Sequence, residues 1–433
     1  MRERLALIWG SAFFAGSLAQ AAAWLTGQPA VVLLLGMGLL VGHAGLDLVR
    51  PEALGDGLEP VVGLLVSLVL FDGGLNLRLA GRELQRSALR LVLVRLVVGL
   101  PLTSLFAHRL AGLPWSLSLV YGAIAMATGP TVVTPMVRQL RLAPKLAQLL
   151  EAEGLLLEPV SAVLGLVLLQ LTLGDLGGWQ EAASRLLLRL GGGVGLGLLA
   201  GLVLSEALGQ LGTVVAAKSG AGPASAEASG LELQLTLGVL FLLFSGCEAL
   251  LPESGLPAAV SAGVVVGVRL DAAASQLDEL IRQLAMLAIT VLFPLLAADV
   301  SWAELSPLGL GGLACVLALM LARWPLILTA AVGIPSLDWR EKALLSWIAP
   351  RGIVTAAVAS LFALELDRAE VAGGGVLKGL VFLTILMTVG LQGFTAPWLA
   401  RRLGLTPPEP GQGASAALEG DPVSRAQDLP GEG

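Results

Sequence analysis

The stretch Leu149-Leu150-Glu151-Ala152-Glu153-Gly154-Leu155-Leu156-Leu157-Glu158-Pro159-Val160-Ser161-Ala162-Val163-Leu164 decides how the whole chain is read. It belongs to an apolar run over 147–172 that is long enough to cross a bilayer, for which about 20 residues suffice. Glu158 is about eleven residues into that run, roughly 16 Å deep at about 1.5 Å per residue. That depth is close to the midplane of a hydrocarbon core about 30 Å thick. A carboxylate there costs several kcal/mol unless a proton, a cation or a basic partner neutralises it.

Composition agrees with a membrane setting. Of the 433 residues, 56% are hydrophobic and only 13% are charged, and the mean hydropathy is +0.85. Soluble domains carry about 25% charged residues. The charges fall in short clusters between long apolar stretches, which is the pattern of a helical bundle and not of a barrel. Many of the 55 glycines lie inside the apolar runs, where small residues let helices approach closely. The net charge of −6 resides mostly in loops and the tail, and no nucleic-acid partner is expected. Cys247, Cys315, His43 and His108 are far apart in sequence, so neither a metal-ligand spacing nor a disulfide framework is present and no cofactor is expected. The first segment, Leu5 to Trp24, has the look of a signal peptide but lacks a clear cleavage site, and it reads as a retained span.

A window of about 20 residues gives about thirteen spans. They lie near 5–25, 30–48, 58–76, 88–107, 114–136, 147–172, 184–206, 231–251, 255–270, 280–299, 308–333, 343–365 and 376–400. The polar, small-residue segment from Lys218 to Glu227 separates the first seven from the last six. The expected organisation is a transmembrane domain over 1–405, with one half at about 5–172, a linking helix at 184–206 and a second half at about 231–400. The Pro-, Gly- and acid-rich residues 406–433 read as a disordered cytoplasmic tail. Arg78, Arg82, Arg86, Arg90, Arg138, Arg141, Lys145, Arg340, Lys342, Arg401 and Arg402 all fall on one side. The positive-inside rule makes that side cytoplasmic and puts the amino terminus outside. This assignment requires an odd number of spans.

Span five contains Ala127-Thr128-Gly129-Pro130-Thr131. Pro130 has no N–H and clashes with the carbonyl four residues earlier, so the helix is expected to break there. Freed carbonyls, with the hydroxyls of Thr128 and Thr131, then become oxygen ligands of the kind transporters assemble at the midplane. An ordinary proline kink is the plainer alternative. In span six, Glu153 and Glu158 point about 140° apart on an ideal helix and should do different jobs. Pro159 is expected to break the helix and free the carbonyl of Leu155 beside Glu158. Glu151, nearer the cytoplasmic edge, is assigned no role.

Arg323 sits in the middle of the apolar run from Val316 to Pro325. A guanidinium cannot become neutral by losing its proton, so a buried Glu153–Arg323 pair is expected. Snorkelling to the interface is the alternative. Span twelve holds Ala349-Pro350-Arg351-Gly352, a second interruption in the second half. Matching interruptions in two halves point to an inverted-repeat transporter with its site between them. Arg351 would bring positive charge to that crossing, balanced by Asp72 in Phe71-Asp72-Gly73-Gly74-Leu75-Asn76-Leu77, unless Asp72 is a solvated span end.

These motifs together resemble the monovalent cation:proton antiporter superfamily, in its NhaP-type sodium/proton exchanger branch. The matching pieces are the Asp72 segment, Thr128-Gly129-Pro130-Thr131, Glu153 to Pro159, Arg323-Trp324-Pro325 and Arg351-Gly352. The resemblance implies an all-α fold of the NhaA type: thirteen helices, two inverted six-helix repeats, crossed discontinuous helices, a homodimer and elevator-like alternating access. Glu158 resembles the ion-binding aspartate of the family, Glu153 and Arg323 its buried pair, and Thr128 the threonine of its unwound span. This chain has Leu157-Glu158 where the family often has Asn-Asp or Asp-Asp, and Thr128-Gly129-Pro130 where it often has Thr-Asp-Pro. A single carboxylate at the crossing fits electroneutral exchange of one H+ for one Na+ or K+ across the cell (inner) membrane. A channel or uniporter would need a polar pore or filter, of which no repeated motif is visible. A transport-inactive relative is the other alternative, since Gly129 and Leu157 replace polar residues. An enzyme is not expected, because no catalytic set lies in the spans.

Overall fold

The computed structural model describes residues 2–77, 82–219, 226–269, 275–332 and 337–406. The expected tail lies almost wholly outside them, as does most of the segment between Lys218 and Glu227. The regular elements among the described residues are all helices, without strands. The first half runs through α1 (Arg2–Thr26), α2 (Ala30–Val41), α3 (Leu58–Asn76), α4 (Arg82–Val94), α5 (Leu100–Arg109), α6 (Trp115–Ala125), α7 (Pro130–Leu140) and α8 (Pro144–Leu173). A π-helical turn, Arg95–Gly99, joins α4 to α5. Then come α9 (Trp179–Ser219), α10 (Ala226–Leu250), α11 (Gly255–Arg269), α12 (Ser275–Ala298), the short α13 (Trp302–Leu305), α14 (Gly309–Ala330), α15 (Trp339–Trp347), α16 (Ile353–Arg368) and α17 (Gly374–Arg402).

Among the described residues, ten stretches, with α4–α5, α6–α7 and α13–α14 each taken as one, are long and apolar enough to cross a membrane; α2 and α11 are shorter apolar helices. The outer surface carries exposed Leu7, Phe14, Leu187, Val203 and Leu242, as a lipid-facing surface should. Exposed Trp24, Trp115, Trp179, Trp302, Trp339 and Trp398 all stand close to helix ends, where amphipathic rings sit at the headgroup level.

The helices sort into two groups. In the first, α1, α2, α3 and α9 to α12 pack on one another; in the second, α4 to α8 pack with α14 to α17. The packing of one half has its counterpart in the other: α2 on α12 answers α3 on α11, α5 on α6 answers α14 on α15, and α7 on α8 answers α16 on α17. Glycines set the closest approach, since a Cβ on Gly74 would overlap the carbonyl of Val260 and one on Gly263 that of Phe71.

Three expectations change. The seventh expected span, α9, does not end near 206 but continues to Ser219, because a hydropathy window stops where apolar content drops although helical bonding continues. α13 forms a short extra helix before the eleventh expected span, its first turn capped by Ser301, which accepts from Ala303 N–H. α8 runs unbroken through Pro159, so Pro159 is not a helix breaker. A proline inside a membrane helix removes one backbone bond, and packing on both sides holds the rest of the ladder in place.

Candidate functional site

The site is built where two helices come apart. α6 stops at Ala125, and α7 begins with Pro130 at its first position, where the missing N–H is harmless and the fixed φ suits a helix start. Gly129 is extended, with φ −81 and ψ 113. In the second half α15 stops at Trp347, and Ile348 is extended; Pro350 biases the residue before it toward the same conformation. Gly352, with φ −101 and ψ −175, leads into α16. The two extended segments cross in contact: Gly129 N–H donates to Pro350 O at 2.9 Å. A Cβ on Gly129 would overlap Gly352, and a Cβ on Gly352 would lie 2.5 Å from Glu158 Oε1 and 2.9 Å from Thr131 Oγ1. Glycine at both positions is therefore a steric requirement, and Glu158 reaches the crossing itself.

Glu158 is fully buried, and neither of its carboxylate oxygens has a hydrogen-bond partner. The hydroxyls of Thr128 and Thr355 are buried and likewise unpartnered. Buried side-chain oxygens are nearly always paired in proteins. Thr131 Oγ1 accepts a long bond of 3.4 Å from Ile353 N–H. Glu158, with its carboxylate oxygens against Gly352, has no guanidinium or ammonium bonded to it among the described residues.

One and a half turns earlier on α8, Glu153 is in the opposite situation. Arg323 of α14 binds it as a fork, with Nη1 to Oε1 at 2.7 Å and Nη2 to Oε2 at 2.9 Å. The same guanidinium donates to Leu345 O at 3.1 Å and Ile348 O at 2.9 Å, the carbonyl end of α15. Arg95, from the π-helical turn, stands 3.5 Å from Glu153 Oε1 and donates to Met126 O at the end of α6. From α17, Gln392 Oε1 accepts from Ala349 N–H at 2.9 Å and Thr388 Oγ1 from Arg351 N–H at 3.2 Å. Several of the backbone groups released by the two breaks thus have partners.

The expected balance of Arg351 by Asp72 is not what forms. Arg351 donates to Ala349 O at 2.9 Å, turning back on its own segment. Asp72 accepts from Asn76 Nδ2 at 3.1 Å and lines a cavity of about 330 Å³ with Pro130, Thr131, Thr134, Arg138 and Arg282. Asp72 is seated near the end of α3, where it is buried against Asn76 and shares the cavity lining with Arg138. A smaller recess adds Glu151 to Asp72, Thr134 and Arg138, so Glu151 belongs to the mouth of this cavity although the sequence suggested no role. On the opposite side, Lys378 binds Asp299 Oδ2 and Glu304 Oε1, each at 3.0 Å. Ser360 donates to Asp299 Oδ2 at 2.8 Å. This cluster ties the end of α12 to α16 and α17.

Sequence reasoning passed over Arg95, Thr355, Thr388 and Gln392. Arg95 carried a usable signal, as a lone charge inside Leu91-Val92-Leu93-Val94-Arg95-Leu96-Val97-Val98, the same signature that singled out Arg323.

With this geometry in hand, comparison with known proteins gives a consistent picture. The family model described as the transmembrane sodium/hydrogen exchanger matches residues 10–402. The chain is 24% identical over 422 residues to Na(+)/H(+) antiporter 1 of Methanocaldococcus jannaschii, covering 91% of this chain and 94% of that protein. It is 24% identical over 387 residues to the K(+)/H(+) antiporter NhaP2 of a Shewanella species, covering 89% of this chain and 64% of that longer protein. Among solved structures, the sodium proton antiporter MjNhaP1 from Methanocaldococcus jannaschii superposes with a TM-score of 0.77 at 23% identity, over 92% of this chain and 99% of that one. That likeness shows the shared fold.

Proposed function

The chain belongs to the family of transmembrane sodium/hydrogen exchangers, and from that membership we propose that it exchanges Na+ or K+ for H+ across the cell membrane by competition at Glu158. The observation that carries the reading is the carboxylate of Glu158, fully buried beside the crossing with both oxygens unpartnered. A buried anion of this kind must take a proton or a cation. Deprotonated Glu158, with the Thr128 hydroxyl and nearby backbone oxygens, holds a dehydrated monovalent cation; protonation of the same carboxyl expels it. The proton-loaded and cation-loaded forms are both neutral at this carboxyl and can be moved across. The empty anion is not, and that asymmetry couples the two flows. One carboxylate exchanging one charge for another makes the cycle electroneutral.

Glu153 takes no part in binding, since Arg323 occupies both its oxygens; its task is to hold α8 against α14. The cavity that runs from Arg138 to Thr131 supplies access from the basic side, which the positive-inside rule makes cytoplasmic, with the amino terminus outside. The Asp299–Lys378 cluster closes the other side. Access alternates as the group containing α4–α8 and α14–α17 shifts against the group containing α1–α3 and α9–α12. The reciprocal packing of the two halves supports an inverted repeat. Thirteen crossings and a homodimer complete the proposal.

The test is growth of cells stripped of their own exchangers in high NaCl or high KCl. The intact chain should restore growth in at least one salt, and Glu158→Gln at equal membrane abundance should not. Restoration by the glutamine variant would remove Glu158 from the mechanism.

A further inference from the structure

We infer that Arg95 is a positioning residue that closes the carbonyl end of α6 to the cation and thereby sets which cation the crossing prefers. This rests on the exchanger reading given above. Each broken pair has one half-helix whose carbonyl end points into the crossing, α6 in the first half and α15 in the second. Such ends carry partial negative charge and are used in transporters as ligands for Na+. Here a guanidinium bonds to each. Arg323 donates to Leu345 O and Ile348 O, and Arg95 donates to Met126 O. Both guanidiniums come from the span that precedes the broken pair, and both meet the single carboxylate of Glu153, at 2.7 Å for Arg323 and 3.5 Å for Arg95.

The local backbone explains how Arg95 gets there. It opens the π-helical turn Arg95–Gly99, an irregularity that occurs frequently at functional sites. Leu93, Val97 and Val98 around it are exposed on the apolar outer surface, whereas Arg95 is only 3% exposed. A guanidinium keeps its charge when buried, so Arg95 cannot release Met126 O by deprotonating. Met126 lies two residues before Thr128 on the same unwound strand. With Met126 O, Leu345 O and Ile348 O bonded to guanidiniums, the side-chain oxygens without partners at the crossing, among the described residues, are those of Glu158, Thr128 and Thr355. Arg95 therefore limits the number of oxygens that surround the cation. Coordination number is a property that discriminates Na+ from K+.

The experiment measures cation-driven proton movement in proteoliposomes for the intact chain, Arg95→Met and Arg95→Lys, with apparent KM for Na+ and for K+, maximal rate and melting temperature. Arg95→Met should change the ratio of the two KM values by about fivefold or more, the lower end of typical coupling between sites. Arg95→Lys, which keeps the charge and one bond to Met126 O, should stay within about twofold, well inside that limit. If Arg95→Met does not fold, the ratio is read on Arg95→Gln, where a shift supports the assignment and an unchanged ratio overturns it. A lower melting temperature with an unchanged ratio would make Arg95 a structural brace only. An intact chain that moves no protons with either cation would instead overturn the exchanger reading itself.

Discussion

Gly129 and Gly352 stand so close where the two broken helices cross that neither position has room for a Cβ: one on Gly129 would overlap Gly352, and one on Gly352 would strike Glu158. Alanine at either position should therefore reduce cation-driven transport at least tenfold, with Gly352→Ala acting directly on the Glu158 carboxylate. Strained or overpacked buried sites cost about 1–3 kcal/mol, so melting temperatures should fall as well. Gly390 of α17 has open space around its Cβ direction, and Gly390→Ala should leave both properties unchanged. Flux and thermal melting on the three variants check this.

Removing one partner of the Glu153–Arg323 fork leaves a buried charge uncompensated. Arg323→Leu should destabilise the fold by about 3–5 kcal/mol, the usual effect of breaking a buried pair. The double variant Glu153→Leu with Arg323→Leu should lose less than the sum of the two single changes, because residues in contact are not additive. Thermal unfolding in detergent of the two single variants and the double variant measures the difference.

The cavity and the Asp299–Lys378 cluster predict one-sided access. Thr134 lines the cavity, whereas Ser360 is tied to Asp299 on the far side. Thr134→Cys should be modified by a membrane-impermeant thiol reagent from the cytoplasmic face, and Ser360→Cys should resist reagent from either face until the Lys378 cluster is loosened by Lys378→Met. Both native thiols, Cys247 and Cys315, are buried, so background labelling should be low.

A pH effect is expected at the turn that follows α2. His43 contacts Glu52 at 2.9 Å and Asp47 at 2.8 Å, and the hydrogen bond to Glu52, followed by the charges of both carboxylates, raises its pKa against the opposing effect of burial. A raised histidine pKa means that the folded state holds the proton more tightly than the unfolded chain. The contribution is complete below the unfolded value of about 6.5 and disappears as pH rises through the raised folded value. The melting temperature of the intact chain should exceed that of His43→Gln below about pH 6.5, and the gap should close at alkaline pH.

What the sequence disclosed follows from how isolated its signals were. Pro130 follows Gly129 and Pro350 stands two residues before Gly352, both inside apolar runs, so both breaks are legible, and Arg323, a lone charge in its run, needs a buried carboxylate such as Glu153. The pairing of Asp72 with Arg351 was a different kind of inference. It rests on opposite charge alone, and the carbonyl bond that Arg351 makes to Ala349 O is invisible to any pattern of side chains. Pro159 misled because a proline marks a break only where the packing permits one, and α8 is held on both sides. Thr388 and Gln392 were illegible for another reason: they serve backbone N–H groups on a distant segment, and nothing in the sequence of α17 sets them apart.

The central claim is that a proton and a cation compete for Glu158, and proteoliposomes test it most directly. Proton movement is recorded after separate Na+ and K+ pulses on vesicles holding the intact chain or Glu158→Gln, with a potassium-selective or protonophore control for membrane potential. The account predicts that at least one cation drives proton movement through the intact chain without building a membrane potential, and that the glutamine variant shows at least a hundredfold less. Proton movement of equal size in Glu158→Gln, or none with either cation in the intact chain, would contradict it.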